Sequence, residues 1–595
     1  MESAQLYRLR HSLAHVMAQA VRHHFQKEGP VHFAGGPPIQ DGFYYDFDLP
    51  RALVPEDLMG IEARMKVILQ HDHAFRYQEL EADEARRIFA DQPYKLELLE
   101  GLLQGAYDDH GEKSQADALD PISIYQHDDF IDLCRGPHVS SCREIPDNAF
   151  KLMKIAGAYW RGDEKRPMLQ RIYAVAFASA AALQDHLQLL EQAEKRDHRK
   201  LGKELKMFFF HNTAPGMPYW LPHGFSVLNQ LINWWREVHE REDYAEISSP
   251  LINSKKLWQI SGHWEHYRED MFVMELNKDE VYGVKPMNCP NAMIVFNHEH
   301  HSYRDLPLRL SDCDALHRHE RSGALHGLLR VQKFQQDDAH IFVEDDDQAI
   351  DREFARILQL VDEFYRVFNL SYRFRLATQP KDAMGEGAIW ERAEASLKRI
   401  LDRHVQGAYE VAEGDGAFYG PKIDILIKDA LGRDWQMGTL QLDFQLPRRF
   451  DCQYVDRDGR KQHPAVIHRV IYGSMERFIG ILIEHCEGKF PVWLAPVQLR
   501  ILPIADRHDD FARELQQRLK KAKIRVELDA DAQSLGHRIR QFRLERIPYA
   551  VVIGDQEVAS QRVSLRSRDQ EGLQSLSMEE LLQKLGEEVQ SKAMK

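Results

Sequence analysis

Leu6, Leu9, Leu13, Val16, Met17 and Ala20 fall on one stripe at the helical period, which predicts an amphipathic helix over residues 5–25. His11 and His15 lie on its opposite face, where two histidines taken alone read as a solvated pair. DGFYYDFDLPRALVPEDL (41–58) predicts a strand turning into a helix, and FKLMKIAGAYWRGD (150–163) a hairpin around Gly157, giving an α+β domain over 1–180. Leucines at helical spacing in a charge-rich stretch predict a connecting helix over 181–205 with a solvated charged face. The turn-forming NTAPGMP (212–218) follows, then an amphipathic helix and a strand, YAEISSPLI, that carries Pro250. Leu325, Leu328, Leu329 and Val331 predict a strand, a loop and a returning strand within 316–342. A large domain over 206–494 then gives way to 495–595. There VQLRILPI, VELDA and PYAVVIG alternate with helices at 509–522 and 534–547, implying a small α/β domain with a mainly parallel sheet. The whole is an α+β multidomain chain, as its 595 residues require, being too many for one core.

Composition narrows the setting. No run of apolar residues is long enough to span a bilayer, and residues 1–10 lack a secretory pattern, so no membrane association and a cytoplasmic location are expected. Six cysteines, at 134, 142, 289, 313, 452 and 486, form no close-spaced framework and read as free thiols or metal ligands. A net charge of −15 argues against non-specific coating of nucleic acid but leaves room for local basic patches. One such set is Arg518, Lys520, Lys521, Lys523, Arg538, Arg540, Arg543 and Arg546, for which a solvated face is the commoner reading and RNA phosphates the functional one.

Candidate chemistry concentrates in two places. In LHRHERSGALHGLLRVQKFQQDDAHIF (316–342), Arg318, Glu320, Arg330 and Phe334 make a nucleotide-site kit: arginine forks match phosphate oxygens and a phenyl ring stacks on a purine. Near the N-terminus, His11 and His15 join Cys134 and His138 as four groups that either close a zinc tetrahedron or position a water for ester hydrolysis without metal.

The first of these segments resembles motif 2 of the class II aminoacyl-tRNA synthetases, and GSMERF (473–478) resembles motif 3. KPMNCP (285–290), QDDAHIF and IHR narrow the resemblance to the threonyl-tRNA synthetases, and it covers nearly the whole chain. It implies an N-terminal editing domain, a class II antiparallel-sheet catalytic domain and a C-terminal α/β anticodon-binding domain. The implied activity is threonine–tRNA ligation: L-threonine and ATP give threonyl-adenylate, the threonyl group passes to tRNA(Thr), and mischarged seryl-tRNA(Thr) is hydrolysed. Zn²⁺ on Cys289, His340 and His468, and Mg²⁺ with ATP, are the implied cofactors. Arg318, Glu320, Arg330, Phe334, Gln436, Thr439 and Arg477 are implied for ATP, Arg318 on the α-phosphate and Arg477 on the γ-phosphate. Met287, Gln336, Asp338, Tyr419 and Gln441 are implied for threonine, and His263 to help deprotonate the tRNA ribose. HSLAHVMAQA, Tyr94-Lys95 and DLCRGPHV resemble the editing domain, which places His11, His15, Lys95, Asp132, Cys134 and His138 in a pocket taken to work without zinc; a related alanyl fold binds zinc through a similar quartet, so the metal question stays open.

Glu557 and Arg566 stand where the family's anticodon-reading residues lie, while Ala532 departs from the polar residue expected. The 222–250 segment resembles motif 1, lacking its usual glycine, and implies a homodimer. HSLAH begins at residue 11, so the ubiquitin-like module that many members carry ahead of it is expected to be absent. Two rival readings are an RNA-binding paralogue that does not charge tRNA and a stand-alone hydrolase of mischarged tRNA; no zinc ligand or motif arginine is lost to favour either.

Overall fold

The computed structural model describes residues 4–104, 122–381, 383–405, 408–429, 432–531 and 533–594, which form two compact units divided between Glu191 and Gln192. Ala532 lies outside the described residues.

In the first unit α1 (Ala4–Phe25) is the central element. Its apolar stripe is buried as the period predicts, but so is its other face: His11 and His15 are 1 and 2 % exposed, which overturns the solvated pair. The cause is that β1 (Gly42–Asp48), α2 (Pro55–Gln70) and the later strand β3 all pack on this helix. After α3 (Pro93–Leu103), the strands β2 (Ser123–His127) and β3 (Phe130–Leu133) form an antiparallel hairpin. β4 (Phe150–Tyr159) and β5 (Met168–Ala176) pair antiparallel, and β5 pairs in turn with β1. Tyr159 faces Met168, so the turn is made by the polar residues 160–167 and Gly157 sits inside β4; the hairpin expected around Gly157 is corrected.

Between the domains the single connecting helix expected over 181–205 is two helices. α4 (Ala180–Arg196) ends before Asp197, whose carboxylate accepts from the Arg199 amide and so starts α5 (His198–Glu204). His198, Leu201 and Gly202 of α5 are buried, so this part of the chain belongs to the core of the second unit and is no solvated strut.

α6 (Pro222–Arg241) buries Val227, Leu228, Leu231, Trp234 and Trp235 on one face. Pro250 interrupts the strand expected to carry it: residues 245–246 and 252–254 pair in two different sheets. α7 (Cys289–Phe296) and β6 (Leu308–Asp312) lead to the motif 2 pair β7 (Ala315–His317) and β8 (Lys333–Val343), antiparallel as expected. α8 (Asp347–Val367) and β9 (Tyr372–Ala377) follow, then β10 (Lys422–Lys428), β11 (Asp434–Asp443), β12 (Ala465–Ser474) and α9 (Met475–His485). The central sheet runs β6-β8-β12-β11-β10-β9, every neighbour antiparallel, with a short parallel strand at each edge. β12 is buried on both faces over residues 465–473, which explains why its residues are apolar on either side of His468 and Arg469.

Where β8 meets β12 the register shifts between Gln336 and Asp338. The buried Asp337 carboxylate takes the place of the missing ladder bonds, accepting from the amides of Ile471 (2.9 Å) and Gly473 (3.1 Å). Gly473 has φ +83°, and a Cβ there would lie 2.4 Å from the Met437 carbonyl oxygen, so only glycine fits the turn into α9.

The C-terminal part orders its strands β14-β13-β15-β16-β17, with β13 (Leu499–Pro503), β14 (Val526–Leu528), β15 (Tyr549–Ile553), β16 (Arg562–Ser567) and β17 (Gln574–Ser577). The first three are parallel and the last two antiparallel, so the sheet is mixed where a mainly parallel one was expected. The connections at 554–561 and 568–573 are shorter than the dozen or so residues a parallel crossover takes. Arg525 donates to the carbonyls of Ala495 (2.8 Å) and Trp493 (2.7 Å), Arg568 to that of Phe490 (3.1 Å), and Arg546 to that of Glu487. Among the described residues no helix is long and apolar enough to cross a membrane.

Arg309 of β6 and Glu353 of α8 form a two-point buried pair (2.9 and 2.5 Å). Glu353→Ala strands a buried guanidinium and is expected to destabilise the second unit by about 3 kcal/mol. Restoring most of that loss by pairing Arg309→Met with Glu353→Leu, read from urea midpoints, checks that the cost is the orphaned charge.

Candidate active site

Register builds the central site. His340 of β8 lies directly opposite His468 of β12, and Gln441 of β11 opposite His468 on its other side. Cross-strand partners have neighbouring side chains on one face, and the two imidazole rings are 5.0 Å apart. Cys289, the first residue of α7, completes a set whose ligand atoms all lie within 4.8 Å of one another, each residue buried. His340 Nε2 is buried without a hydrogen-bond partner, and His468 Nε2 is held by Asp443 Oδ2 at 2.9 Å, which leaves Nδ1 as the donor that ring can offer. A buried thiol, an orphaned imidazole nitrogen and a carboxylate-braced second imidazole are the donor chemistry of a three-ligand zinc site.

Around this set lies a cavity of about 630 Å³. Met287, Gln336, Asp338, Tyr419 and Gln441 line it beside the Cys/His cluster, as do Arg318, Glu320, Arg330, Phe334, Gln436, Thr439 and Arg477. Tyr419 donates to Gln441 Oε1 (2.6 Å) and Asn288 to Asp338 (3.2 Å). The Arg318 guanidinium stands 5.1 Å from the Phe334 ring centre and donates to the Pro286 carbonyl. Arg330 pairs with Glu320 (2.9 Å). Arg477 donates to the carbonyls of Leu329 (2.8 Å) and Gln436 (2.7 Å). Burial, then the nearby Arg318 and Arg330, pull its pKa down to about 10; with Arg318 and the exposed, Glu320-paired Arg330 it gives the cavity three cationic groups that suit a polyanion. His263 is not on the cavity wall. It is fully buried behind Met287, with Nε2 3.0 Å from that sulfur and Nδ1 2.8 Å from Ser261 Oγ, and burial lowers its pKa to about 3.

In the first unit a second cluster forms where α1, α3 and the segment after β3 meet. Cys134 Sγ lies 3.3 Å from both His11 Nε2 and His138 Nε2, and the Gly136 amide donates to it (3.2 Å). Lys95 contacts Asp132 at 2.5 Å, Tyr45 donates to the other carboxylate oxygen at 2.5 Å, and His15 Nε2 is 3.6 Å from it. His11, His15, Cys134 and His138 offer atoms within 4.8 Å of one another, a set that also meets the spacing for a metal. All six expected residues therefore share one buried cluster.

Three parts of the chain match family models: residues 122–173 the threonyl and alanyl tRNA synthetase second additional domain, 272–486 the class II tRNA synthetase core domain (G, H, P, S and T), and 498–588 an anticodon binding domain. A threonine–tRNA ligase of Clostridioides difficile is 47 % identical over 98 % of this chain and 88 % of its own. One of Thermotoga neapolitana is 47 % identical over 100 % of this chain and 89 % of its own. The chain belongs to the threonine–tRNA ligase family. A crystal structure titled as the RNA binding domain of threonyl-tRNA synthetase from Cryptosporidium parvum Iowa II superposes with a TM-score of 0.64 at 39 % identity, covering 67 % of this chain and 99 % of that one.

For this family member the C-terminal expectations divide. Arg518, Lys520, Lys521, Lys523, Arg540 and Arg543 are exposed, but Arg538 is buried and spends its guanidinium on the carbonyls of Asp529 and Pro503, which removes it from any phosphate-binding set. Glu557 accepts from the Gly554 amide (2.9 Å) and the Ser564 hydroxyl (2.6 Å), and Arg566 is half-buried on β16. Sequence reasoning missed Asp443, which braces His468, Asp424, which holds Gln436 (2.7 Å), and Tyr45. For the two aspartates the available signal was a carboxylate set among apolar residues, in IDILI and LQLDF; Tyr45, one of two tyrosines in GFYYDF, carried none.

His127 sits behind the first-unit pocket, stacked on Phe75 (4.7 Å) with neither ring nitrogen bonded, and burial lowers its pKa to about 3. A depressed histidine stabilises the fold above its unfolded pKa and loses that contribution as acid protonates the unfolded chain first. Between about pH 6 and 4 it should cost the first unit up to about 1.4 kcal/mol per pH unit. Thermal melts of His127→Phe against the parent across that range should show a shallower acid slope for the variant.

Proposed function

We propose that this chain is a threonine–tRNA ligase that forms threonyl-adenylate from threonine and ATP, passes the threonyl group to tRNA(Thr), and hydrolyses mischarged seryl-tRNA(Thr) in a separate pocket. The observation that carries the reading is the convergence, in one cavity of about 630 Å³, of the Cys289/His340/His468 donor set and the three arginines Arg318, Arg330 and Arg477.

Cys289, His340 and His468 would hold the zinc. Bound there, it supplies an electrophilic position open to the amino nitrogen and side-chain hydroxyl of threonine, a pairing that valine cannot complete. Asp338 faces the threonine ammonium, and Tyr419 and Gln441, hydrogen-bonded to each other, close the pocket around the side chain. The threonine carboxylate attacks the α-phosphorus of ATP, and pyrophosphate leaves. Arg318 neutralises the α-phosphate, and Arg477 and Arg330 the outer phosphates with Mg²⁺, while Phe334 stacks on adenine and Glu320 accepts from its amino group. Arg330 must exchange Glu320 for phosphate, since the two are now paired. Positioning and charge neutralisation supply the rate, with no covalent enzyme intermediate. Met287, Phe418 and Tyr419 of the cavity lining pack against His263, so a part in the transfer step requires that lining to open.

Serine differs from threonine by one methyl group, worth roughly 1–3 kcal/mol or 10–200-fold, which is short of what translation requires. The His11/His15/Lys95/Asp132/Cys134/His138 pocket supplies the second sieve. Burial, then His138 and His11, hold the pKa of His15 well below the ordinary value, so this imidazole is neutral. A neutral imidazole beside a carboxylate–lysine pair can accept a proton from water attacking the ester. Leu251 and Ile252, 40 and 51 % exposed after Pro250, support pairing of two copies through the motif 1 segment, and the cytoplasm is the proposed location.

Pyrophosphate exchange on purified, metal-analysed protein tests the first reading. Exchange with threonine, weaker exchange with serine, none with valine, and about one zinc per chain are expected. Absence of exchange despite bound zinc would instead favour the non-charging paralogue. Cys289→Ser should lose both metal and exchange. Cys134→Ala combined with His11→Ala should keep exchange and let seryl-tRNA accumulate; undiminished clearance would sink the editing assignment.

A further inference from the structure

His198 lies outside every matched family domain, yet its fully buried ring touches the ATP-binding apparatus on two sides. Nδ1 is 2.7 Å from Glu484 Oε1, near the end of the same helix α9 that carries Arg477. Nε2 accepts from the backbone amide of Leu328 at 3.0 Å, inside the loop between β7 and β8. An amide can only donate, so the ring is the neutral tautomer with its proton on Nδ1, and the carboxylate of Glu484 fixes it there. Glu484 Oε1 also accepts the His198 main-chain amide (3.3 Å).

The loop it grips is the tip His326–Arg330, closed by hydrogen bonds from Leu329 to His326 (2.9 Å) and from His326 to Arg330 (3.1 Å). Gly327 has φ +51°, and a Cβ there would come within 2.2 Å of His198 Nε2, so the tip is shaped to admit this ring. Within it, Leu329 offers its carbonyl to Arg477, and Arg330 pairs with Glu320. The spacing suits three groups on the triphosphate and adenine: Arg330 in a tip held by one imidazole acceptor, Glu320 paired to it, and Arg477 on the helix whose Glu484 orients that imidazole.

We propose that His198 is a positioning residue for adenylate formation: its Nε2 anchors the motif 2 loop through the Leu328 amide, setting Arg330 and Glu320 for ATP. This rests on the ligase reading above. The same cluster, with Asp197, has the spacing of a metal site, but both imidazole nitrogens are already engaged, and the cation-free assignment is the one the bonds support.

Two substitutions separate the two nitrogens. Glutamine at this position places an oxygen near Nε2 and keeps an acceptor for Leu328. Asparagine reaches only the Nδ1 position and keeps the Glu484 contact. Leaving a buried amide unpaired corresponds to a loss of about 5- to 150-fold. His198→Asn should therefore raise the ATP KM in threonine-dependent exchange by that factor with threonine KM little changed, and His198→Gln should stay within about threefold of the parent. Amide hydrogen exchange supplies a reading independent of catalysis: residues 326–330 should lose protection in His198→Asn and keep it in His198→Gln. Gly327→Ala, which leaves His198 in place and crowds the tip off it, should reproduce the asparagine phenotype if that variant folds poorly. Equal behaviour of the Asn and Gln variants in loop protection overturns the proposal. If the parent itself shows no exchange with threonine, the ligase reading fails, while loop protection still decides whether His198 is the anchor.

Discussion

The pairing of β8 with β12 is the constraint on which the central site rests. Side chains alternate faces along a strand, so a slip of one residue would send His340 or His468 to the opposite side of the sheet and dissolve the donor set. Asp337 fixes the register locally: its carboxylate bonds the amides of Ile471 and Gly473 where the ladder is interrupted. The irregularity that Asp337 bridges lies between Gln336 and Asp338, two pocket residues on the same strand. The third strand then falls into line, with Gln441 beside His468 and Thr439 beside Val470. The donor set and the polar lining of the cavity beside it are thus consequences of one strand alignment.

The two pockets use burial in opposite ways. In the central cavity cations share one wall, and burial, then the nearby Arg318 and Arg330, draw the pKa of Arg477 down to about 10. Such a site is poised for a partner that brings negative charge. In the first unit burial holds His15 and His127 below the ordinary imidazole value, His15 beside a compensated Lys95–Asp132 pair. The proposed phosphate chemistry and ester hydrolysis ask for these contrasting environments.

Much of this was legible in the chain. Arginines, a carboxylate and an aromatic at fixed offsets announce nucleotide chemistry by residue type alone, and all of those named line the cavity. What escaped depended on facts no local window contains. His11 and His15 looked solvated because the helical period says which residues share a face, not that the second face will also be covered. Gly157 looked like a turn because glycine marks both turns and strand interiors. Arg538 looked like part of a basic surface until two carbonyls were found to claim it. The connecting segment looked like a charged strut, although RDHRKLGKEL holds a histidine whose partners are more than a hundred residues away in sequence.

The joint that follows α9 has a shared authorship. Arg525, Arg546 and Arg568 grip main-chain carbonyls of residues 487–495, which any amino acid carries. The same segment also sinks Phe490, Trp493, Leu494 and Ala495 into the large core of the second unit and Val492 into that of the C-terminal sheet. Drift at Arg525 or Arg568 breaks the joint, since each spans two carbonyls with a fork that lysine lacks. In a lineage of such proteins only exposed positions such as Lys489 can wander, and the memory of how the last domain attaches is shared between three arginines and the apolar residues they clasp.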